Sequence, residues 1–583
     1  MCYTSLFFYP RWNKADTEAA ISCDVSGYYW YLPSVFIYHD LKHQAFKDSI
    51  LKKYKPSNTD FQQGLITDNG NYVMKYSSGM ALMYSPFFFT AHLLAGPLGY
   101  EKNGFTAPYQ LAIQLGGLII AILGLWYLRK LLLLFYADRV VAVTLFVLVA
   151  ASNYIELATI DSGMSHSWLF TIYVFLLLNT YYFYRSPQLK YAMRIGVLIG
   201  LATLTRPTEI ISCLIPLLWG ADSFWPGAIK KKLTFLAANY RMILVTMVCA
   251  GLVISLQLVY WKYASGHWVV YSYGDQGFSF SDPHFRAYTF SYRSGWLIYT
   301  PVMAFAFVGI IPFLLKQRNR ILIITFFLLN YYIICSWDIW YYGGRAMVQS
   351  YPILLFPLAA LVDVILSKRL LRIIALPVLF LFIYMNAWII YHHHIGKLYS
   401  AEYMTRPYYW RVAGRWTAPD RTLVLRDQTE LFEKDPRNLR VIYKNDMEHD
   451  TGALYSSKEI INGKQSLVLN GGIEMPKITL PLKMGNAQWV RVQATFHCYQ
   501  KEWDEWKIPQ FNLLLKSATD PGKIVKYNMI RVDRMLYDND TKDIAMDMKL
   551  PTEHFDSLQI WVSDYFSDKK IALDDIVVWT FDE

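Results

Sequence analysis

Four charged residues of this 583-residue chain stand among small and aromatic side chains at the edges of long apolar runs: Asp24, Lys75, Arg206 and Arg345. Asp24 lies in Ser22-Cys23-Asp24-Val25-Ser26-Gly27-Tyr28-Tyr29-Trp30, where a carboxylate can take a proton and aromatic faces such as Tyr28 can stack on a sugar. Gly27 allows close backbone approach. The same run also fits an aromatic belt at a membrane interface with an ordinary loop aspartate. Lys75 opens Lys75-Tyr76-Ser77-Ser78-Gly79, a cation and an aromatic beside small residues, although a lysine at a membrane edge also binds lipid headgroups or snorkels.

Arg206, in Leu204-Thr205-Arg206-Pro207-Thr208, is flanked on both sides by apolar sequence. An ionisable group at that depth is expected to face a cavity or a counter-charge, and the alternatives here are an ion pair with Glu209 or a snorkelling side chain. Arg345 closes Ser336-Trp337-Asp338-Ile339-Trp340-Tyr341-Tyr342-Gly343-Gly344-Arg345, where a guanidinium can hold phosphate oxygens bidentately and Trp340 and Tyr342 offer substrate-facing rings. Pairing between Asp338 and Arg345 is the plainer reading of that segment.

The elements that must position these residues are membrane helices. With 54% hydrophobic, 17% aromatic and 17% charged residues, the chain has too little polar surface for a soluble multidomain enzyme. The net charge of +11 comes from short basic loops between apolar runs, which set membrane orientation and argue against nucleic acid. Six cysteines at positions 2, 23, 213, 249, 335 and 498 form no metal-ligand or disulfide pattern. The N-terminal patch Leu6-Phe7-Phe8-Tyr9 is far short of the roughly 20 residues that cross a bilayer, so a first spanning helix is expected to be missing or truncated.

Residues 24–107 are expected to form a first external loop with interfacial helices, the segment from Met80 to Gly99 being broken by Pro86 and Pro97. Spans follow at about 108–128, 140–158, 165–183, 194–204 with 207–220 as a hairpin turning at Arg206-Pro207, 242–262, 295–315, 320–336, 346–366 and 370–391, about ten to eleven in all. Basic loops near Arg129, Arg185, Lys230, Lys316 and Lys368 are then cytoplasmic. The opposite, external face collects the Asp24 loop, Asp161 to His166, Tyr263 to Gly295, and Ser336 to Arg345. His392-His393-His394 reads as a helix-end cluster at the interface in preference to a metal site. From residue 401 to 583, alternating strands such as Trp489 to Phe496 and Ile571 to Phe581 predict an external all-β sandwich.

An external carboxylate among cations suits transfer from a lipid phosphate carrier. The carboxylate takes a proton from an acceptor hydroxyl or amine while cations hold the leaving phosphate. In the order and common sidedness of Cys23-Asp24-Val25-Ser26-Gly27-Tyr28-Tyr29, Lys75-Tyr76-Ser77-Ser78-Gly79, Leu204-Thr205-Arg206-Pro207-Thr208 and Trp340-Tyr341-Tyr342-Gly343-Gly344-Arg345, residues 20–391 resemble the C-type (GT-C) superfamily of polytopic membrane glycosyltransferases, which includes protein mannosyltransferases and lipid A aminoarabinose transferases.

The resemblance implies a polyprenyl- or dolichyl-phosphate sugar donor, inversion at the anomeric carbon, Asp24 as the base, and Lys75, Arg206 and Arg345 as donor-phosphate contacts. One acid stands where several relatives carry an adjacent pair, so a divalent metal is admitted but no cofactor is required. The last strand, with Leu573-Asp574-Asp575-Ile576-Val577, resembles carbohydrate-binding jelly-roll modules. The expected protein is thus a glycosyltransferase of a bacterial inner membrane with its site on the periplasmic side, acting on a lipid, glycan or protein acceptor. A lipid-linked glycan or solute transporter and a membrane-anchored glycan-binding protein are the alternatives. No inverted repeat supports the transporter, and the glycan-binding reading leaves Arg206 without a reason.

Overall fold

In the computed structural model of the chain the described residues are 2–57, 63–223, 225–316, 319–338, 343–400, 403–419, 421–483, 485, 487–501, 507–517, 520–565, 567 and 569–583. They divide into two units, Met1–Ile395, which is helical, and Gly396–Glu583, which is mostly β.

The first unit opens with α1 (Cys2–Phe8), α2 (Cys23–Tyr29) and α3 (Tyr31–Phe36), then α4 (Lys47–Tyr54) and a hairpin of β1 (Gly64–Ile66) and β2 (Tyr72–Met74). The segment around Asp24 is therefore helical, with Asp24 in the first turn of α2, where a carboxylate suits the positive end of the peptide dipoles. α5 (Gly79–Ala95) follows as one helix, and the break expected at Pro86 is absent. Proline at that position cannot donate to the Leu82 carbonyl, but the Ser85 hydroxyl does so at 2.8 Å, which supplies the missing bond.

Next come α6 (Ala107–Leu132), α7 (Asp138–Ala151), α8 (Tyr154–Thr159), α9 (Ser165–Arg185) and α10 (Leu189–Thr205). The run expected as a single span over 140–158 is divided between α7 and α8. Ser152 is extended there, and its hydroxyl donates to the Leu148 carbonyl at 2.6 Å, a local bond that competes with helix continuation. Pro207 ends α10 and starts a 3-10 turn, Pro207–Cys213, which leads into α11 (Leu214–Leu218). The basic stretch after it holds a helix that its sequence did not announce, α12 (Pro226–Ala238), ahead of α13 (Tyr240–Ser265). The unit closes with α14 (Phe285–Phe290), α15 (Trp296–Tyr299), α16 (Ala304–Lys316), α17 (Arg320–Ser336), the 3-10 turn Arg345–Ser350, α18 (Tyr351–Ser367) and α19 (Arg369–His394).

Among the described residues, α6, α13, Arg345–Ser367 and α19 are long and apolar enough to cross a membrane, and α5, Pro207–Leu218, Pro301–Leu315 and α17 are shorter apolar helices. α13 leaves Leu244, Met247, Leu252 and Val259 more than half exposed, a burden that lipid removes and water does not. The first unit is an integral membrane domain. Its interior is closely interlocked: Trp168 on α9 receives the edges of Tyr84 and Phe87 from α5 at 5.2 and 5.9 Å, and its indole N–H donates to the Ser162 carbonyl at 2.8 Å.

The second unit carries α20 (Arg406–Val412) and then β3 (Arg437–Asn445), β4 (Tyr455–Ser456), β5 (Ser466–Asn470), β6 (Ile473–Glu474), β7 (Ile478–Pro481), β8 (Trp489–Cys498), β9 (Gln510–Ser517), β10 (Asp520–Arg531), β11 (Asp540–Lys549), β12 (Ser557–Asp564) and β13 (Lys570–Asp582). They form two antiparallel sheets. One runs β10-β9-β12 with β6 and β7 both on β12, and the other runs β11-β8-β13-β5-β4 with β3 also on β13. The alternation of buried and less buried residues along β8 is what one buried sheet face requires, and Phe496 of β8 meets Phe511 of β9 across the sheets at 5.3 Å. β13 breaks register between Asp574 and Val577, where Asp575 takes a φ of 50°.

Candidate active site

The residues just before Asp24 are tied to Arg11 and to Pro56. Arg11 forms an ion pair with Asp161 and donates to the Ser22 hydroxyl at 3.0 Å, and the Cys23 N–H donates to the Pro56 carbonyl at 2.7 Å. Cys23 sits in the left-handed region at φ 46°, a conformation that costs energy and that its surroundings must enforce. The Asp24 carboxylate is three-quarters buried and accepts two hydrogen bonds, from Arg345 Nη2 to Oδ2 and from the Tyr76 hydroxyl to Oδ1, both at 2.8 Å.

Arg345 reaches this point because of the glycines before it. Gly343 and Gly344 have φ of 50° and 67°, and a Cβ on Gly344 would lie 2.4 Å from the Trp296 side chain. The turn is fixed by Asn153, which donates to the Gly343 carbonyl at 3.1 Å and accepts from the Tyr351 hydroxyl at 2.8 Å. The alternative pairing of Arg345 with Asp338 is not what the structure contains. Asp338 accepts from Ser279 at 2.7 Å and lies 3.3 Å from His284 Nε2, and these contacts, Ser279 first, hold its carboxyl below the ordinary value.

Arg206 is the residue at the end of α10, extended as a position before proline must be. Its Nε donates to the Ser165 hydroxyl at 3.1 Å, and its Nη2 lies 3.4 Å from His166 Nε2. The ion pair with Glu209 expected as its alternative is not formed. The Glu209 carboxylate instead accepts from the Tyr173 hydroxyl and from Gln349 Nε2, each at 2.5 Å, and Gln349 also lies 3.3 Å from His166. Ser165 links this group to Tyr28, whose hydroxyl is 3.5 Å away.

Lys75 follows β2, its Nζ 5.7 Å from the Tyr76 ring centre and 5.6 Å from that of Tyr273. Burial lowers its pKa, and the Asp24 charge opposes that shift. Tyr28 and Tyr76 are 4.4 Å apart, and Tyr76 and Tyr273 are 5.9 Å apart. The space left by Gly27 is taken by Tyr76, which a Cβ would meet at 2.8 Å, so the close approach there is made by a side chain of the protein itself.

Asp24, Tyr28, Lys75, Tyr76 and Arg345 thus form one continuous group, with Arg206 joined to it through Ser165. Trp340 and Tyr342 lie outside the described residues. Ser165, Tyr273 and Gln349 were not singled out in the sequence. Their signal was topological, since Ser165 and Tyr273 belong to segments assigned to the external face.

The assembly offers a carboxylate, two guanidinium groups, an ammonium group and phenol rings that meet tilted and edge-on, which suits a ligand with an anionic end and an uncharged polyhydroxyl part. Asp24 is outside the one group of three His, Cys, Asp or Glu side chains among the described residues that could share a metal ion.

No family model matches the chain, and no curated protein matches it. Solved structures similar to it include ArnT from Cupriavidus metallidurans in the apo state, at 14% identity over 48% of this chain and 48% of that one, with a TM-score of 0.33. The arabinosyltransferase EmbB from Mycobacterium smegmatis is similar at 8% identity over 86% of this chain and 59% of that one, with a TM-score of 0.34. A family 16 carbohydrate-binding module is similar at 13% identity over 21% of this chain and 82% of that one, with a TM-score of 0.17. The chain spans about half the length of ArnT and under two thirds of EmbB.

Proposed function

We propose that the protein is an inverting membrane glycosyltransferase that moves a sugar from a polyprenyl-phosphate carrier to an acceptor on the external face of a bacterial inner membrane. The observation that carries this reading is the clasp of Asp24 by Arg345 and Tyr76, with Lys75 and Arg206 alongside. A carboxylate gripped by a guanidinium is a poor base. Donor phosphate competes for Arg345, and as the guanidinium turns to the phosphate the Asp24 carboxylate is released to act.

The acceptor hydroxyl then gives its proton to Asp24 while its oxygen attacks the anomeric carbon on the face opposite the phosphate. The bond from that carbon to the phosphate oxygen breaks, its electron pair leaves with the polyprenyl phosphate, and the new charge falls on Arg345, Arg206 and Lys75. One displacement inverts the configuration. The phenol rings of Tyr28 and Tyr76 bear on the sugar.

The test is to give the purified protein in lipid a series of defined polyprenyl-phosphate sugars with a hydroxylic acceptor and to determine the product by NMR. A product of opposite anomeric configuration to the consumed donor supports the reading. Retention of configuration, or passage of intact donor across vesicles without consumption, removes it.

A further inference from the structure

A second cluster lies away from Asp24, between α8 and the last turn of α19. Glu156 is buried, with 1% of its surface exposed, and its Oε2 has no hydrogen-bond partner among the described residues. Its Oε1 lies 3.0 Å from His394 Nε2 and 3.8 Å from His393 Nε2. The three ligand atoms all lie within 4.8 Å of one another. A buried carboxylate oxygen with nothing opposite it carries a desolvation penalty that hydrogen bonds to the other oxygen leave uncompensated.

We propose that Glu156, His393 and His394 bind one divalent transition-metal ion, zinc by the chemistry of the set, and that the ion fastens the end of α19 to α8. Two imidazole nitrogens and one carboxylate oxygen are borderline ligands that suit zinc and exclude calcium and magnesium, which take oxygen cages. Zinc bonds of about 2.0–2.1 Å set ligand atoms of a tetrahedron roughly 3.4 Å apart, a spacing that small side-chain rotations reach from those observed. The fourth position goes to water.

The surroundings fix the ligands. The Asp161 N–H donates to the Glu156 carbonyl at 3.0 Å, and the Tyr9 ring lies 4.8 Å from the His394 ring. Asp161 is also the partner of Arg11, which holds Ser22 beside Asp24, so the ion is joined to the mount of the carboxylate without belonging to the transfer site. The competing occupant is a proton, with an imidazolium of His394 sitting on Glu156 as a plain ion pair.

The full chain in lipid nanodiscs is stripped with a chelator, then titrated with Zn2+ or Co2+ alone. The expected result is one metal ion per chain by elemental analysis, the visible absorption of a four-coordinate cobalt site, and a higher melting temperature in the reloaded protein. Glu156→Gln and His394→Gln are expected to weaken the metal by more than the roughly 10–100-fold that loss of a supporting contact costs. His393→Gln, which leaves the Glu156–His394 contact in place, keeps the comparison open if the other two do not fold. No stoichiometric metal in the wild-type protein, an octahedral cobalt spectrum, or equal binding by His393→Gln each overturns the proposal and leaves the cluster an ion pair.

Discussion

Arg345 Nη2 donates to Asp24 Oδ2 at 2.8 Å across 321 positions of sequence, tying the turn before α18 to the first turn of α2. The contact makes the two residues one unit in energetic terms. Removing the guanidinium both frees the carboxylate in the resting state and takes a cation from the leaving phosphate, and only the second effect survives into the transition state.

Arg345→Gln is therefore expected to lower kcat/KM for the donor by about 30- to 100-fold, roughly 2–3 kcal/mol of lost transition-state stabilisation. Arg345→Lys is expected to recover less than a tenth of the loss, because a point charge does not reproduce a fork. Steady-state kinetics with a double-mutant cycle against Asp24→Asn measures both, and the cycle should be strongly non-additive.

Lys75 gives the pH dependence. Burial sets its pKa below that of an ordinary lysine, and only its protonated form attracts phosphate. As pH rises, the charge is lost earlier than at an exposed lysine, so donor affinity should fall on the alkaline side, below pH 10.5. In Lys75→Met the affinity at neutral pH should be about tenfold weaker, and this alkaline limb should disappear. Equilibrium donor binding across pH 7–10 reports it, and an unchanged limb in the variant would assign the titration to another group.

Gly79 gives a test at a distance from the reacting groups. A Cβ there would lie 2.4 Å from the backbone nitrogen of Thr205, the residue before Arg206. Gly79→Ala is expected to push the end of α10 away, raise the donor KM about tenfold and cost about 1–3 kcal/mol of stability. Donor titration and thermal unfolding of the same sample read the two effects.

Asp547 is the corresponding test in the β unit. Its buried carboxylate accepts from Arg491 at 2.6 and 3.1 Å, from Arg421 at 2.8 Å and from the Phe432 N–H at 2.9 Å. Asp547→Asn leaves two guanidinium groups short of a counter-charge and should cost about 3 kcal/mol, seen as a lower melting transition by calorimetry.

The membrane helices were legible because apolar length and flanking charge are local properties, and the runs 108–128 and 242–262 fall within α6 and α13. The sidedness of the basic loops gathered Asp24, Ser165, Tyr273 and Arg345 on one face before any contact was known. The partners themselves were not legible. Asp338 is the nearest opposite charge in the sequence to Arg345 and Glu209 to Arg206, yet Arg345 pairs with Asp24 and Arg206 donates to the Ser165 hydroxyl, because helix packing and the Gly343-Gly344 turn decide which side chains meet. Pro86 misled for the opposite reason, since the Ser85 hydroxyl repairs the backbone within the helix. His393 and His394 do stand at a helix end, and the contact of His394 with Glu156, 238 positions away, was not legible.

The central claim is that Asp24 is the base. Purified wild-type protein and Asp24→Asn, both in lipid, are compared for binding and turnover of one polyprenyl-phosphate sugar that the wild type consumes. The account predicts that the variant binds the donor at least as tightly as wild type, because Asp24 no longer competes for Arg345, while its turnover falls at least about a hundredfold, since asparagine keeps the size and cannot take the proton. Equal turnover in the two proteins would contradict it.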